Sequence, residues 1–173
     1  PYPSALVERV VLEGGTTATI RPIRPEDAGI EAAFVHGLSE QSRFMRFMFA
    51  IHDLTPAQLS RFAQIDYDRE MALIAVLDTP DGERQIGVAR YITLEDGETC
   101  EFAIVVADDW QGRGLARRLF ALLIDTARNR RLKVMTGVTL RENSRMLDLA
   151  RAKGFAVRMD DEDPTLSRMT MSL

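Results

Sequence analysis

The sequence has few of the residues from which disulfide frameworks and metal sites are built. Cys100 is its one cysteine, so an internal disulfide and a cysteine-rich zinc site are both excluded. Two histidines, His36 and His52, are a poor basis for a histidine metal centre. We therefore expect a protein without a metal.

An excess of positive charge and a long hydrophobic run are also missing. The chain has 22 Lys and Arg against 26 Asp and Glu, a net charge of -4, whereas binding to a nucleic-acid backbone needs a basic footprint. No apolar run is long enough to span a bilayer, and no signal peptide is visible. We expect a cytoplasmic protein with neither nucleic acid nor a membrane as a partner.

Length and composition fit one globular domain. The chain has 173 residues, of which 46% are hydrophobic and 28% charged, enough for a sizeable core in a protein of ordinary composition. We take residues 1–173 as a single domain with residues 1–18 as lead-in strands. The start at Pro1 is compatible with excision from a longer chain, and a homo-oligomer is compatible with the sequence.

Hydrophobic periodicity predicts an α+β chain. An apolar strand–turn–strand pattern over residues 71–106 is typical of an antiparallel meander, and a helical pattern after Gly114 lies between two strands, as in a βαβ unit. Strands are predicted over residues 7–12, 16–20, 71–77, 86–94, 99–106, 133–140, 155–158 and 166–172. Helices are predicted over residues 28–38, 39–49, 55–65, from 115 onward, and 143–153.

One strand-to-helix turn has the composition of an anion-binding loop. A strand ends at Val106, Gly112 and Gly114 follow, and an amphipathic helix begins at Leu115. Free N–H groups and the helix dipole favour negative charge at such a helix start, and the glycines leave room for a phosphate. The alternative is an ordinary turn that contains glycines by chance.

Two other phosphate-binding loops fit this segment less well. A Walker A loop ends in Gly-Lys followed by Ser or Thr, and no such sequence follows here. A dinucleotide-binding loop needs a third glycine where this chain has Arg117, and it needs a parallel sheet. The strand before the loop belongs instead to the predicted meander.

Residues 111–116 resemble the acetyl-CoA signature of the GNAT N-acetyltransferases, Q/R-x-x-G-x-G/A. Residues 141–144 and 152–155 resemble a second landmark of that family, an Asn at a helix start and a Gly-Phe at its end. More narrowly, the chain is similar to the acetyltransferase domain of Pat-type bacterial protein lysine acetyltransferases, which modify acyl-CoA synthetases. The blocks that carry this similarity are residues 20–27, 37–42, 65–72 and 101–106.

The resemblance implies a GNAT acyl-CoA N-acyltransferase fold, in which a mixed, mostly antiparallel sheet is splayed at the cofactor site and flanked by helices. It implies acetyl-CoA as co-substrate and no metal. The pantetheine arm would pair with the last strand of the meander and lie beside Asn143, and the pyrophosphate would sit on the loop. The implied acetyl-CoA-binding residues are Ile104, Val105, Val106, Gln111, Gly112, Arg113, Gly114, Leu115, Ala116, Arg117 and Asn143.

The candidate general base is Glu101. An amine acceptor with a pKa of about 10.4 must lose a proton before it attacks. Glu101 begins an apolar strand, where a carboxylate is out of character, and the Pat-type resemblance places the catalytic glutamate there. Many GNAT enzymes instead carry a glutamate near Val138 and a tyrosine acid at Ala150; without that tyrosine, the leaving thiolate needs water or another group. The alternative is a structural ion pair between Glu101 and an arginine such as Arg90.

These features predict an acetyl-CoA-dependent N-acetyltransferase that acts by direct attack in a ternary complex. The favoured acceptor is the ε-amino group of a protein lysine, on an acyl-CoA synthetase for example. A small-molecule amine acetyltransferase of the same fold and a non-catalytic acetyl-CoA-sensing module are the alternatives. A sensor needs the phosphate loop but not a carboxylate at Glu101, which favours a catalyst. An acetyl-cysteine route through Cys100 is a weaker possibility, since neighbouring residues of a strand point to opposite faces.

Overall fold

The order of strands and helices is that of an α+β protein built on one mixed sheet. The computed structural model describes residues 2–39 and 65–173. Apart from their end residues 39 and 65, the helices predicted over residues 39–49 and 55–65 lie outside the described residues. The strands are β1 Glu8–Val11, β2 Thr17–Pro22, β3 Glu70–Thr79, β4 Gly82–Thr93, β5 Thr99–Val106, β6 Val134–Leu140, β7 Ala156–Met159 and β8 Leu166–Ser172. The helices are α1 Ala28–His36, α2 Leu115–Asn129 and α3 Ser144–Ala152.

The sheet is mostly antiparallel, as predicted. In the described part of the chain it has eight strands in the order β1-β2-β3-β4-β5-β6-β8-β7, and only β5 and β6 pair in parallel. Helix α2 connects that parallel pair, which confirms the βαβ unit. β4 begins at Gly82, earlier than predicted, because the tight turn lets polar residues pair up to Thr79 opposite Gly82.

Among the described residues, two helices pack on one face of the sheet and one packs on the other. Helices α2 and α3 pack on one face, the α2 face, and α1 packs on the other, the α1 face. Side chains of β5 alternate between these faces, as the period of a strand requires. On the α2 face the core includes Cys100, Phe102, Leu115, Leu119, Phe120, Leu123, Leu147 and Ala150. On the α1 face it includes Phe34, Val35, Ala72, Ile74, Val88 and Val105.

The sheet divides between its two parallel strands. β5 and β6 pair only over Thr99–Val134, Cys100–Met135 and Glu101–Thr136, and beyond those three pairs the two strands diverge. This confirms the splayed sheet.

An aromatic side chain lies at the point of divergence. Phe102 packs against Phe120 and Phe155, with ring centroids 4.8 and 5.4 Å away. A Cβ atom built on Gly137 would lie 2.6 Å from the Phe102 ring, so only glycine leaves room for the ring over β6. Phe102 therefore acts as a wedge between the diverging strands. No helix in the described part of the chain is long and apolar enough to cross a membrane.

Candidate active site

The diverging strands form a cleft of about 320 Å³ that passes between β5 and β6. Its walls come from both faces of the sheet, since Ile104 belongs to the α2 face and Ala103 and Val138 to the α1 face. Ten of the eleven residues implied for acetyl-CoA binding line this cleft, all except Arg113. The other lining residues are Glu13, Phe102, Ala103, Trp110, Val138, Thr139, Arg145, Met146, Leu149 and Met169.

The glycine loop bounds one end of the cleft. Gly112 and Gly114 have φ values of 76° and 84°, a left-handed conformation that disfavours other residues. Gly114 is the N-cap of α2, and no side chain of the described residues caps that helix start. The first N–H groups of α2 are therefore available to an anion in the cleft. Arg113 lies outside the cleft lining, with its guanidinium 4.6 Å from the centre of the Trp110 ring.

The edge of β5 offers backbone hydrogen-bonding groups to the cleft. The N–H of Ala107 donates to Ile86 of β4, and successive residues of a strand direct their N–H and C=O groups to alternate sides. Val106 and Ile104 therefore direct theirs away from β4, toward the cleft, where β6 has diverged. The side chain of Gln111 donates to the Val106 carbonyl at 3.1 Å, which ties the loop to the strand end.

Two arginines line the cleft beside the loop without a counter-ion among the described residues. Arg117 of α2 has a guanidinium nitrogen 3.7 Å from the Cβ position built on Gly114. Arg145 of α3 lies 3.9 Å from the corresponding position on Gly112. Arg145 is not among the residues that the sequence predicts for the site. The available signal is its position one residue after the start of the helix whose N-cap, Asn143, is expected beside the cofactor. Arg118, in contrast, points away and pairs with Glu8 at 2.9 Å.

Asn143 is held at the start of α3. Its side-chain oxygen accepts a hydrogen bond from the Met146 N–H at 3.3 Å, the N-cap interaction. Its amide nitrogen donates to the Thr139 hydroxyl of β6 at 3.0 Å. The two bonds fix the start of α3 against the wall of the cleft, and this places Arg145 opposite the glycine loop.

Glu101 lies where the strands begin to diverge, in the last pair of the parallel ladder, opposite Thr136. Its side chain is exposed on the α1 face, so the carboxylate itself is not buried, although β5 is a largely buried strand. The physical reason is strand alternation: Cys100 and Phe102 supply the buried face, and Glu101 points away from it. Arg90 forms its ion pair with Glu31 of α1 at 3.4 Å, which contradicts the alternative Glu101–Arg90 pair. Glu101 is not among the described residues that line the cleft itself.

Two other residues weighed in the sequence are enclosed by the core. Cys100 is fully buried on the α2 face, and this burial raises the pKa of its thiol to about 12. A thiol of that kind stays protonated at neutral pH and is a poor nucleophile. Ala150, which replaces the tyrosine acid of many relatives, is also fully buried. Among residues 2–39 and 65–173, no cluster of three or more His, Cys, Asp or Glu side chains could hold a metal ion.

A glycine loop at a helix start, facing the free edge of a splayed strand, defines an acyltransferase site of the GNAT type. The chain belongs to this family: the model of the acetyltransferase (GNAT) domain matches residues 18–156. It is therefore an acetyltransferase, and the co-substrate of such enzymes is acetyl-CoA.

Individual relatives agree with this assignment. The chain is 39% identical to Acetyltransferase PA5475 of Pseudomonas aeruginosa, over 89% of this chain and 83% of that protein. The crystal structure of the GNAT domain of S. lividans PAT is similar over the whole of both chains, with a TM-score of 0.87 and 26% identity. A GNAT acetyltransferase from Streptococcus pneumoniae, at 18% identity, shares the fold with a TM-score of 0.72 over 90% of this chain and 99% of its own.

Proposed function

We propose that the protein transfers the acetyl group of acetyl-CoA to the ε-amino group of a lysine on a protein, with Glu101 as general base. The observation that carries this proposal is the cleft itself, which has an anion-binding loop at one end and an exposed carboxylate where its walls converge. The loop suits the phosphates of acetyl-CoA, and the carboxylate lies where an acceptor amine would meet the thioester at the other end of that molecule.

The loop end would hold the phosphates. The N–H groups of Gly112, Gly114 and the first turn of α2 would donate to the pyrophosphate. Arg117 and Arg145 would approach it from α2 and α3, and guanidinium groups suit phosphate because they donate in a planar fork. Arg113 would support the loop from outside by lying over Trp110.

The strand edge would hold the pantetheine arm. Its amides would bond the N–H and C=O groups that Ile104 and Val106 direct into the cleft, in the manner of an added strand. Val105, Leu115 and Ala116 would supply apolar or backbone contact from the same walls, and Asn143 would bound the arm from the start of α3. When bound, acetyl-CoA supplies a thioester whose acetyl group can be transferred.

Glu101 would accept the proton that the acceptor ammonium loses. An exposed carboxylate at the convergence of the walls can reach an incoming amine directly or through one water molecule. The amine nitrogen then forms its bond to the acetyl carbon and releases its second proton to solvent as the carbon–sulfur bond breaks. With the alanine at Ala150 buried, the departing sulfur would take its proton from solvent.

Support for a protein lysine as acceptor comes from likeness to a lysine-modifying type. The blocks that resemble Pat-type enzymes include Glu101, and the GNAT domain of S. lividans PAT is similar over its full length. The exposed position of Glu101 also suits an acceptor presented on a protein surface. The single domain over residues 1–173, the cytoplasmic location and a homo-oligomer stay predictions.

Mass spectrometry of a purified bacterial acyl-CoA synthetase, after incubation with this protein and acetyl-CoA, tests the acceptor. We expect one lysine of the synthetase to gain an acetyl group, and Glu101→Gln to abolish that gain. Rapid acetylation of polyamines or amino acids, with no labelled protein, would assign the enzyme to small amines. Tight acetyl-CoA binding without thiol release from any amine would favour the sensing module.

A further inference from the structure

Two further arginines, Arg158 and Arg168, lie on the α1 face of the sheet, and Arg168 lies beside the part of the cleft that opens on that face. Met135 belongs to the core of the α2 face and Gly137 lies under the Phe102 ring on that face, so Thr136 and Val138 point to the α1 face. Val138 lines the cleft and pairs with Arg168 of β8. Directly paired residues of antiparallel strands share a face, so Arg168 lies next to the opening.

The Arg168 side chain is held in one orientation. Its Nε donates to a carboxylate oxygen of Asp160 at 3.2 Å, and its Nη1 donates to the Thr136 hydroxyl at 3.2 Å. Thr136 is fixed in turn, because its hydroxyl donates to the Met169 carbonyl at 3.1 Å. It is also the residue that pairs with Glu101. The Arg168 guanidinium is thus hydrogen-bonded to Thr136, the residue that pairs with the proposed base, Glu101.

The bound guanidinium keeps free donors. The Arg168 side chain is 31% exposed, and its Nη2 has no hydrogen-bond partner among residues 2–39 and 65–173. Its neighbour in the sheet, Arg158 of β7, differs: that side chain is 67% exposed and approaches Asp161 only to 3.9 Å. An exposed, loosely held arginine contributes little to binding an anion. A guanidinium that is already fixed, with N–H groups that face solvent, can bind a planar anion at a low cost in side-chain entropy.

We propose that Arg168 binds a carboxylate that the acceptor carries beside its reactive amine. In a protein acceptor this is an aspartate or glutamate flanking the target lysine; in a small acceptor it is the carboxylate of an amino acid. The inference rests on the proposed function, since it names the acceptor class of the same site. The amine would face Glu101 on β5 and the carboxylate would face Arg168 on β8, with β6 between the two strands.

Paired peptides test this recognition. Each pair has one central lysine and differs by aspartate against asparagine at one of the two positions before or after it. We expect at least one pair in which wild-type kcat/KM is about tenfold higher for the aspartate peptide, the ratio that about 1.4 kcal/mol of discrimination gives. Arg168→Gln should lower that kcat/KM ratio to about one and leave the KM for acetyl-CoA unchanged. Arg158→Gln is the matched control and should keep it.

Two more variants separate recognition from folding. Arg168→Lys keeps the charge but not the fork and should retain part of the ratio, while Arg168→Glu should reverse it. Thermal melting of each variant identifies a folding defect, which would lower the rates of both peptides of a pair equally.

Amino acids as acceptors separate this inference from the proposed protein substrate. If peptides stay unmodified but amino acids are acetylated in an Arg168-dependent way, the protein-lysine proposal fails and the carboxylate site stands. If no acceptor turns over, the same aspartate-to-asparagine ratio is measured as peptide affinity by calorimetry on the enzyme saturated with CoA. Equal ratios for wild type and Arg168→Gln in every series would overturn the inference.

Discussion

The two ends of the cleft are constructed in different ways. The loop end comes from one continuous stretch, residues 106–117, completed by the start of α3. The opposite end is assembled from β5, β6 and β8, which lie far apart in the chain and meet only through sheet pairing. The comparison teaches that the loop end, which suits the phosphates of acetyl-CoA, depends on backbone geometry. The opposite end, which suits the acceptor, depends on individual side chains.

The largest effect should come from removing the carboxylate of Glu101. We expect Glu101→Gln to lower turnover at neutral pH by about 10²–10⁴-fold, the usual contribution of a general base, with acetyl-CoA affinity unchanged. Turnover of the variant should rise with pH, because a lysine with a pKa of about 10.4 then deprotonates in solution. The pH profile of kcat checks this. The control is Glu98→Gln, whose carboxylate pairs with Lys133 on the surface. If Glu101→Gln turned over at the wild-type rate at pH 7, Glu101 would not be the general base.

The glycine loop should be sensitive in binding rather than in chemistry. Gly114→Glu would force a side chain into a left-handed conformation with φ of 84° and place negative charge at the helix start. We expect acetyl-CoA affinity to fall by about 10- to 100-fold or more, since the backbone strain costs about 1–2 kcal/mol and the misplaced charge about 0.3–2 kcal/mol. Calorimetry measures it. Gly97→Glu is the matched control, because Gly97 also has a positive φ, of 69°, but lies in a turn away from the cleft. Equal loss in both variants would contradict the loop assignment.

The two arginines at the loop should each contribute less. We expect Arg145→Gln and Arg117→Gln to weaken acetyl-CoA binding by about tenfold each, as for one charged hydrogen bond of about 1.5 kcal/mol. The affinity of wild type should fall more steeply with salt than that of either variant. Arg118→Gln is the control: it removes an equal charge from α2, the helix that carries Arg117, but breaks only the ion pair with Glu8. An equal effect of all three substitutions would reduce the arginines to a general charge effect.

The wedge between the strands should affect stability. Gly137→Ala would bring a methyl group to 2.6 Å from the Phe102 ring, which Phe120 and Phe155 hold in place. We expect unfolding free energy to fall by about 1–3 kcal/mol, the cost of overpacking. Denaturant titration measures it. Gly29→Ala is the control, since Gly29 lies in α1 and no atom of the described residues lies within 4 Å of its Cβ position. Alanine there should be neutral or stabilising. A loss of the same size at both sites would contradict the wedge.

The sequence predicted the loop end better than the acceptor end, for a physical reason. Gly112, Gly114 and the helix start are neighbours in the chain, so their local conformation is visible in the residue pattern. Strand periodicity gave β5 and β8 their bounds, and the two-residue alternation placed Cys100 and Glu101 on opposite faces.

What could not be predicted depends on register between distant strands. The position of Glu101 at the point of divergence follows from where the β5–β6 ladder ends, and the position of Arg168 follows from its pairing with Val138. Neither appears in any local window. Arg145 is an intermediate case: its helix was predicted, but the rotation of that helix toward the loop was not.

The short seam between β5 and β6 has a mechanical consequence. Three residue pairs and the aromatic cluster around Phe102 join the five-stranded and three-stranded parts of the sheet. A ligand that bonds along the open edge of β5 would occupy the gap as a ninth strand and bridge the two parts. Loading with acetyl-CoA should therefore slow amide exchange at Ile104 and Val106 first, and then along β6, whose Val138 and Thr139 line the other wall of the gap.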